Sequence, residues 1–259
     1  MKISVVASNR DRLDLNSNIT KWFIKSIQWQ EYTDFELLIA DGGSKNYEEL
    51  RSYFENSKEK ISMRIVQYKI GELFERSLLN NVGIRNANGE YVLCSDVDMI
   101  YNPNLISTVI ENLGGNRFIE SRTLYIHGWN VEKIYKEEIN ARNILEINKM
   151  GKIKKRSTAG GLQCTSMENW NKLKGYNETD IKGWGSEDVE LLERAKRLGL
   201  KIRWLGESSE SIMVYHQPHL KQNLKQDLEC QAKNRKVLNN IKLDINENGW
   251  GGIYQSPTT

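Results

Sequence analysis

The sequence predicts an α/β fold in which helices flank a mainly parallel central sheet, in a Rossmann-like arrangement. Three observations support this prediction. Short apolar segments alternate with segments of helical periodicity through the first hundred residues, as in βαβ units. Turn-forming residues separate these segments. The apolar fraction of 39% and the charged fraction of 27% are those of an ordinary globular protein with a sizeable core.

The first half of the chain contains the regular alternation. The segments predicted as strands, in order, are residues 3–7, 35–40, 63–68 and 91–95. The segments predicted as helices between them are residues 13–28, 47–56 and 73–87. Because each strand is followed by a helix, the strands are expected to run parallel in one sheet.

The middle of the chain, from about residue 117 to 158, is less regular. We predict a charged helix over residues 131–149 and a basic, mobile loop over residues 151–157. The loop is interpreted either as a solvated linker or as a phosphate-contacting loop. Residues 159–165 then begin a strand with small residues, where the backbone can approach a ligand closely.

A well-specified helix is predicted over residues 186–198. Ser186 is the expected N-cap, Glu187 and Asp188 suit the positive end of the helix dipole, and Gly199 ends the helix. The expected buried face consists of Leu191, Ala195 and Leu198.

A second, Lys-rich helix is predicted after Pro218, with Leu220, Leu224 and Leu228 along one side. We expect this leucine stripe to pack on the domain. The alternative is contact of the helix with an anionic membrane surface.

Composition excludes several classes of protein. The net charge of +3 is too small to indicate a nucleic-acid partner. The N-terminus lacks the pattern of a signal peptide, and no apolar run reaches the length of a spanning helix. Cys94, Cys164 and Cys230 are odd in number and widely separated, which favours reduced thiols and a cytoplasmic protein.

Polar residues follow three of the predicted strands. They are Asn9–Arg10, Asp41, and the pair Asp96 and Asp98. In parallel sheets ligands bind beyond the carboxyl ends of the strands, so a functional site is predicted there. Two carboxylates one residue apart are typical of a site for a hard divalent cation, although an acidic turn is the alternative.

The context of these residues resembles glycosyltransferase family 2 enzymes with the GT-A fold, and, in the C-terminal half, the β-1,4-galactosyltransferases. The first match is Glu90–Met99, which follows Asn81–Gly89. The motifs that resemble the galactosyltransferases, in the same order, are Phe74–Gly83, Asp96–Asp98, Ala159–Gly161, Gly183–Glu190 and Met213–His216.

The resemblance implies a metal site. Asp98, Met213 and His216 correspond to the metal ligands of the galactosyltransferases, with His219 as an alternative. An imidazole and a thioether are softer ligands than Mg²⁺ prefers, so Mn²⁺ is expected and Mg²⁺ is the alternative.

The resemblance also implies a catalytic base. Asp188 corresponds to that base, with Glu187 beside it, and an inverting transfer needs one carboxylate to accept the proton of the acceptor hydroxyl. Trp184 is expected to stack on the acceptor sugar, with plain core packing as the alternative.

Donor contacts are implied at further positions. Asp41 corresponds to the residue that binds the uracil or ribose, with a turn-stabilising role as the alternative. Arg10 and Arg76 correspond to contacts near the base and phosphates, and Asp96 to a contact with the ribose or a group beside the metal. Gly160 and Gly161 are expected to lie against the donor.

These inferences predict a GT-A catalytic domain over residues 1–218, with a nucleotide-binding half (1–115) and an acceptor half (116–218), and a C-terminal helix and tail over 219–259. The predicted reaction transfers galactose, N-acetylgalactosamine or N-acetylglucosamine, in that order of preference, from a UDP-sugar to a glycan acceptor on a lipid carrier or protein. The setting is bacterial surface polysaccharide synthesis in the cytoplasm, at the inner face of the membrane.

Ser186, Val189 and Thr158–Ala159 depart from the galactosyltransferase motifs, so the galactose preference does not transfer from the resemblance alone. The alternatives to a glycosyltransferase are a sugar-nucleotide nucleotidyltransferase and a non-catalytic sugar-binding module.

Overall fold

The structure, a computed structural model, describes residues 2–56, 61–126, 136, 152–153, 160–207, 213–219 and 224–254. The first half follows the predicted alternation of strands and helices. Its elements are β1 Ile3–Asn9, α1 Asn18–Gln28, β2 Phe35–Asp41, α2 Tyr47–Asn56, β3 Ser62–Gln67, α3 Arg76–Asn86 and β4 Tyr91–Asp96.

The second half contains shorter strands and four further helices among the described residues. The strands are β5 Met99–Tyr101, β6 Arg117–Ser121, β7 Thr123–Tyr125, β8 Lys152–Ile153, β9 Leu162–Ser166, β10 Lys201–Leu205, β11 Val214–His216, β12 Gly249–Trp250 and β13 Ile253–Tyr254. The helices are α4 Leu105–Asn112, which precedes β6, and then α5 Met167–Leu173, α6 Glu187–Arg197 and α7 Leu224–Val237. A short 3₁₀ helix, Leu238–Asn240, follows α7.

The central sheet has seven strands in the order β10-β6-β9-β4-β1-β2-β3. Strands β1 to β4 pair in parallel, as do β6 and β10, while β9 runs antiparallel between β4 and β6. A second sheet, β5-β11-β7-β8, lies where the chain leaves β4, and β12 and β13 form a hairpin. The predicted α/β class with a mainly parallel sheet is confirmed.

Apolar residues pack on both faces of the central sheet. One cluster joins β1 and β2 to α1 and α2, with Phe23 and Leu37 fully buried. The other joins β4 and β6 to α5 and α6 around Trp170. Burial on both faces accounts for the nearly continuous apolar strands, because a parallel sheet covered by helices exposes neither face to water.

Helix α1 begins five residues later than predicted. Ser17 is its N-cap, and the Ser17 hydroxyl accepts a hydrogen bond from the Thr20 backbone N–H at 3.2 Å. Leu13, which extended the helical pattern in the sequence, is buried in the preceding loop instead. An apolar residue in a loop that packs on the core resembles a helical position when only spacing is considered.

Helix α6 agrees with the prediction in its bounds but not in its N-cap. Ser186 has a left-handed backbone (φ +77°) and its side chain makes no capping hydrogen bond, because the glycine-rich turn before it sets the direction of the chain. Leu198, predicted to be buried, is 39% exposed because it lies at the C-cap, beyond the last helical turn. Gly199 ends the helix in the left-handed conformation, as predicted.

A buried ion pair fixes α6 against the rest of the domain. Arg194 and Glu190 are both inaccessible to solvent and are joined by two hydrogen bonds of 2.6 and 2.9 Å. Arg194 also donates to the Gly175 carbonyl at 2.9 Å, beyond the end of α5. The C-terminal half of α6 is therefore tied to the chain that follows α5.

Helix α7 is present, but its leucines do not pack on the domain. Leu224 and Leu228 are 50% and 51% exposed, and the helix instead turns Cys230 and Asn234 towards the loop before α6. Polar contacts through Asn234 thus determine its orientation, and the expectation of a packed leucine stripe is wrong.

Some predictions fall outside the described residues. These are the helix over 131–149, most of the basic loop over 151–157, Ala159 and Leu220. Cys94, Cys164 and Cys230 are free thiols. Among the described parts of the chain, no helix has the length and hydropathy required to cross a bilayer.

Candidate active site

The register of the parallel strands brings the polar strand ends together. Asn9 lies opposite Asp41 on β2, and Ser8 lies opposite Asp96 on β4. The predicted functional residues of β1, β2 and β4 therefore share one edge of the sheet. This is the carboxyl edge, where α/β proteins bind ligands.

Asp41 is fully buried beneath this edge and stabilises the turn after β2. Its Oδ1 accepts from the backbone N–H groups of Gly43 and Ser44 at 2.9 and 2.8 Å, and its Oδ2 accepts from Asn9 Nδ2 at 2.7 Å. The turn-stabilising role, one of the two predicted for Asp41, is therefore the one seen here. Asp41 holds the loop that borders the site.

A cavity of about 430 Å³ lies beside this loop, at the ends of β2 and β3. Its lining includes the glycines of the loop and several polar side chains. Among the lining residues are Arg10, Gly42, Gly43, Tyr47, Gln67 and Lys69. Arg10 lies at the rim, where it also donates to the backbone carbonyls of Gly71 and Glu72. Its assignment as a donor contact stays a prediction.

A cluster of one carboxylate and two imidazole side chains lies at the same edge of the sheet. Asp98, His216 and His219 place ligand atoms within 4.8 Å of one another. Asp98 follows β4, and the second sheet places His216 opposite Met99. Residues more than a hundred positions apart in sequence thus meet, as the resemblance predicts for Asp98 and His216.

The charge and the hydrogen bonding of the Asp98 carboxylate are those of a suitable cation ligand. Burial opposes its charge, but the His219 hydrogen bond and the electrostatic influence of His216, His219 and Arg12 outweigh burial and lower the Asp98 pKa to about 2. Its Oδ1 is buried and, within the described chain, has no hydrogen-bond partner. An unpaired buried carboxylate oxygen is costly unless a cation or a donor satisfies it. This orphaned atom, together with the imidazoles, fits a divalent metal ion.

The two histidines are not equivalent as ligands. Arg12 Nη1 lies 2.6 Å from His219 Nδ1, and because a guanidinium can only donate, His219 Nδ1 must accept. The ring proton is then on Nε2, which donates to Asp98 Oδ2 at 2.9 Å. A ligating histidine usually donates its other ring N–H to an acceptor, so His219 is not arranged as a ligand here.

His216 has the more suitable arrangement. Its Nε2 lies 3.8 Å from Asp98 Oδ1, the unpaired oxygen, and its ring stacks on Tyr125 with centroids 4.6 Å apart. Met213 is half-buried and packs against the core. Its assignment as a third ligand stays a prediction.

Arg76 is buried between two carboxylates instead of facing an open phosphate site. Its Nη2 lies 2.7 Å from Asp96 Oδ1, and its Nη1 forms a short ion pair with Glu187 Oε1. Because both partners are acidic, the pKa of the guanidinium is raised well above its ordinary value despite burial, which acts in the opposite direction. Arg76 joins the end of β4 to the start of α6.

Asp188 lies at the N-terminus of α6, beside this ion-pair network. Burial and the Glu187 charge raise its pKa to about 7, while Arg76 and the Val189 N–H, which donates to Asp188 Oδ1 at 2.8 Å, oppose the shift. A carboxyl group that titrates near neutral pH is suited to exchange protons with a substrate.

Gly160 and Gly161 leave room for this carboxylate and for β7. A Cβ at Gly160, which has φ +111°, would lie 1.9 Å from Asp188 Oδ2. A Cβ at Gly161 would lie 1.6 Å from Thr123 Oγ1, and Ser95 Oγ donates to the Gly161 carbonyl at 2.7 Å. Both glycines therefore permit a close approach of backbone to the site.

Trp184 is half-buried between two glycines with positive φ, in the loop before α6. Asn234 of α7 holds this loop by donating to the carbonyls of Lys182 and Gly185 at 2.9 and 2.8 Å. The structure thus places Trp184 just before the helix that carries Asp188.

Several contributors to the site were not predicted from the sequence. They are Arg12, which contacts His219, Asn234, which holds the Trp184 loop, and Gln163 with Glu120, which form hydrogen bonds beside the Asp188 backbone. Each acts through a contact with a residue far away in the chain, and none belongs to a motif. The one usable signal was the position of Arg12 just after the first strand, which placed it near the carboxyl edge.

Comparison with known protein families agrees with this architecture. The model described as glycosyl transferase family 2 matches residues 17–170, more than half of the chain. A second model, described as the N-terminal domain of galactosyltransferase, matches residues 144–217. The two matches together include the acidic strand end, the Asp188 helix and His216.

The chain is also similar to individual proteins. It is 24% identical over 245 residues to hyaluronan synthase of Pasteurella multocida, covering 82% of this chain and 24% of that protein. The chain spans less than a third of the length of the curated relatives it matches.

Solved structures share the fold at low sequence identity. The structure of S. aureus TarS in complex with UDP-GlcNAc has a TM-score of 0.59 and 17% identity, covering 94% of this chain and 68% of that one. GalNAc-T7 with UDP, GalNAc and Mn²⁺ has a TM-score of 0.63 and 14% identity, covering 91% of this chain and 48% of that one.

Proposed function

The chain belongs to glycosyl transferase family 2 and has the GT-A fold, and we propose that it is an inverting, metal-dependent enzyme that transfers a hexose or N-acetylhexosamine from a UDP-sugar to a glycan acceptor. Membership of the family makes it a glycosyltransferase. One observation carries the finer proposal. Asp98 and His216 lie together at the same edge of the sheet as Asp188, whose carboxyl group titrates near neutral pH.

The nucleotide of the donor is assigned to the cavity beside the β2 loop. Its position at the ends of β2 and β3, with Arg10 at the rim, suits a base and ribose, and Asp41 supports the loop from below. UDP as the nucleotide is supported by UDP-GlcNAc in TarS and UDP in GalNAc-T7.

The metal is assigned to Asp98 and His216, with Met213 as the predicted third ligand. Mn²⁺ is preferred because imidazole is among these ligands, and GalNAc-T7 contains Mn²⁺; Mg²⁺ is the alternative. When bound, such an ion withdraws negative charge from the diphosphate leaving group.

Asp188 is assigned as the general base. In its ionised form it accepts the proton of an acceptor hydroxyl while that oxygen bonds to the anomeric carbon and the bond from that carbon to the diphosphate breaks. Attack from the face opposite the leaving group inverts the configuration. Glu187 is less suited to this step because Arg76 occupies its Oε1. Its role is to raise the Asp188 pKa and to anchor Arg76.

The acceptor is a glycan in bacterial surface polysaccharide or glycoconjugate synthesis, carried by a lipid or a protein. Trp184 offers an aromatic face beside the Asp188 helix for an acceptor sugar. Similarity to a hyaluronan synthase supports a saccharide acceptor. We place the reaction in the cytoplasm at the inner face of the membrane, in keeping with the three free thiols.

A donor screen tests this proposal. The chain is incubated with Mn²⁺ and UDP-galactose, UDP-N-acetylgalactosamine or UDP-N-acetylglucosamine, with GDP-mannose as the control donor, and nucleoside diphosphate release is measured. We expect Mn²⁺-dependent release of UDP from one UDP-sugar and little release from GDP-mannose. Absence of release from all three UDP-sugars, with glycan acceptors present, would contradict the proposal.

A variant separates transfer from binding. Asp188→Asn is expected to bind UDP with the affinity of the wild type and to transfer sugar roughly 10²- to 10⁴-fold more slowly. Formation of a UDP-sugar and pyrophosphate from UTP and a sugar 1-phosphate would instead identify a nucleotidyltransferase.

A further inference from the structure

Glu120 is a buried carboxyl group that the proposed reaction does not use. It lies on β6, is inaccessible to solvent, and is paired in the antiparallel register with Gln163 of β9. Residues directly opposite in an antiparallel pair project from the same face of the sheet. Both side chains therefore point to the face that α6 covers.

Gln163 connects Glu120 to the base. Its Nε2 donates to Glu120 Oε1 at 2.6 Å and to the backbone carbonyl of Asp188 at 3.1 Å. Its Oε1 accepts from the Tyr176 hydroxyl at 2.8 Å. With both ends engaged, the amide has one orientation, and its N–H₂ group bridges the Glu120 carboxyl and the first turn of α6.

The surroundings favour an uncharged Glu120. Its Oε2 is buried and, within the described residues, has no hydrogen-bond partner, and its strand neighbour Phe118 belongs to the apolar cluster under α6. The ionisable groups that face it are Asp188 and Lys196 of α6 and Tyr176. Burial, followed by the Asp188 charge, raises the Glu120 pKa well above its ordinary value. The Gln163 hydrogen bond, the Gly160 N–H and Lys196 lower the pKa but are outweighed.

We propose that Glu120 is a positioning residue, an uncharged carboxylic acid that holds the Gln163 amide against the first turn of α6 and thereby fixes the Asp188 carboxylate. The inference rests on the proposed function, in which Asp188 is the base. A neutral acid supplies the acceptor that Gln163 needs without adding a negative charge beside Asp188.

Kinetics with two variants test the positioning role. Glu120→Leu removes the acceptor, and we expect kcat to fall roughly 10- to 100-fold, as for a misplaced catalytic group, with the donor KM unchanged. Glu120→Gln keeps a carbonyl oxygen in an uncharged side chain, so its kcat should match that of the wild type. The midpoint of its kcat against pH should also match the wild type. A wild-type kcat in the leucine variant would overturn the role. If the midpoint of kcat against pH moves to lower pH in the glutamine variant, Glu120 is charged in the wild type.

Thermal unfolding against pH tests the charge state without any substrate. Because folding raises the pKa of Glu120, this group contributes fully to stability below its unfolded pKa of about 4.5, and the contribution is lost as the pH rises above that value. The stability of Glu120→Gln relative to the wild type should therefore increase with pH. Glu36 is the matched control, a buried carboxylate with a lowered pKa and an ion pair to Arg64 at 2.7 Å. Glu36→Gln should show the opposite trend, and a constant difference for Glu120→Gln would overturn the proposal.

Hydrogen exchange separates this inference from the proposed function. The backbone amides in the first turn of α6 should exchange faster in Glu120→Leu than in the wild type, and at the wild-type rate in Glu120→Gln. This readout needs no turnover, so it decides the positioning role even if the donor screen finds no transfer. Unchanged exchange in the leucine variant would refute the role of Glu120 while leaving the glycosyltransferase proposal intact.

Discussion

Lowering the pH from 8 to 6 should reduce kcat about tenfold, because the base must be ionised to accept a proton. Burial and the Glu187 charge raise the Asp188 pKa to about 7. With a single titration near pH 7, about nine-tenths of the carboxyl is ionised at pH 8 and about one-tenth at pH 6. An ordinary exposed aspartate, with a pKa of about 3.9, would give no change over this range.

Substitutions on α6 link this profile to Asp188. Glu187→Gln removes the largest charge that raises the Asp188 pKa, so the midpoint of the profile should move to lower pH. Asp188→Asn should lower kcat by roughly 10²- to 10⁴-fold, the usual contribution of a general base. Glu193→Gln is the control, because Glu193 is exposed on the same helix and contacts Lys196 at 2.5 Å. Its profile should match the wild type.

The assay is steady-state UDP release at saturating donor, acceptor and Mn²⁺, in buffers of constant ionic strength. Saturation matters because kcat then reports on groups in the complete complex and not on substrate binding. A flat profile between pH 6 and 8 would refute the assignment of the raised pKa. A pH dependence that persists in Asp188→Asn would assign the titration to another group.

Four further outcomes are expected. His216→Ala should weaken Mn²⁺ binding, measured by calorimetry, by more than His219→Ala, since His219 Nδ1 accepts from Arg12; equal losses would contradict the distinction. Arg76→Ala leaves the buried Glu187 and the partly buried Asp96 without their partner and should lower the free energy of unfolding by about 3–5 kcal/mol; a loss below about 0.5 kcal/mol in denaturant titrations would count against the network. Gly160→Ala places a Cβ against Asp188 Oδ2, so kcat should fall while UDP affinity is retained, and a normal kcat would show that the loop can move away. Removal of divalent metal with a chelator should abolish measurable UDP binding, and undiminished binding would exclude a metal bridge.

The strands of the first half were predictable because their signal is local. Segments such as Phe35–Asp41 are buried throughout and mainly apolar, and burial on both faces of a parallel sheet favours this composition. The acidic strand end at Asp96 and Asp98 was predictable for the same reason. The carboxyl edge of such a sheet is fixed by chain direction alone.

The second half was harder to predict because its arrangement depends on distant partners. Nothing in residues 162–166 indicates that β9 runs antiparallel between β4 and β6. The burial of Arg76 also depends on Glu187, 111 residues away. Likewise, the orientation of α7 follows from one asparagine, Asn234, whose amide holds two carbonyls of the Trp184 loop. Leucine spacing, the only local signal in that helix, indicated the wrong face.

The charge balance of the edge favours the binding of a cation there. At a pH where Asp188 is ionised, four carboxylates and two guanidinium groups influence one another at this edge. The carboxylates are Asp96, Asp98, Glu187 and Asp188, and the guanidinium groups are Arg76 and Arg12. Two negative charges remain uncompensated by arginine, and a nucleoside diphosphate would add more. Like charges at short range in a poorly solvated site repel strongly, so the metal ion proposed at Asp98 and His216 would offset this repulsion when the donor is bound.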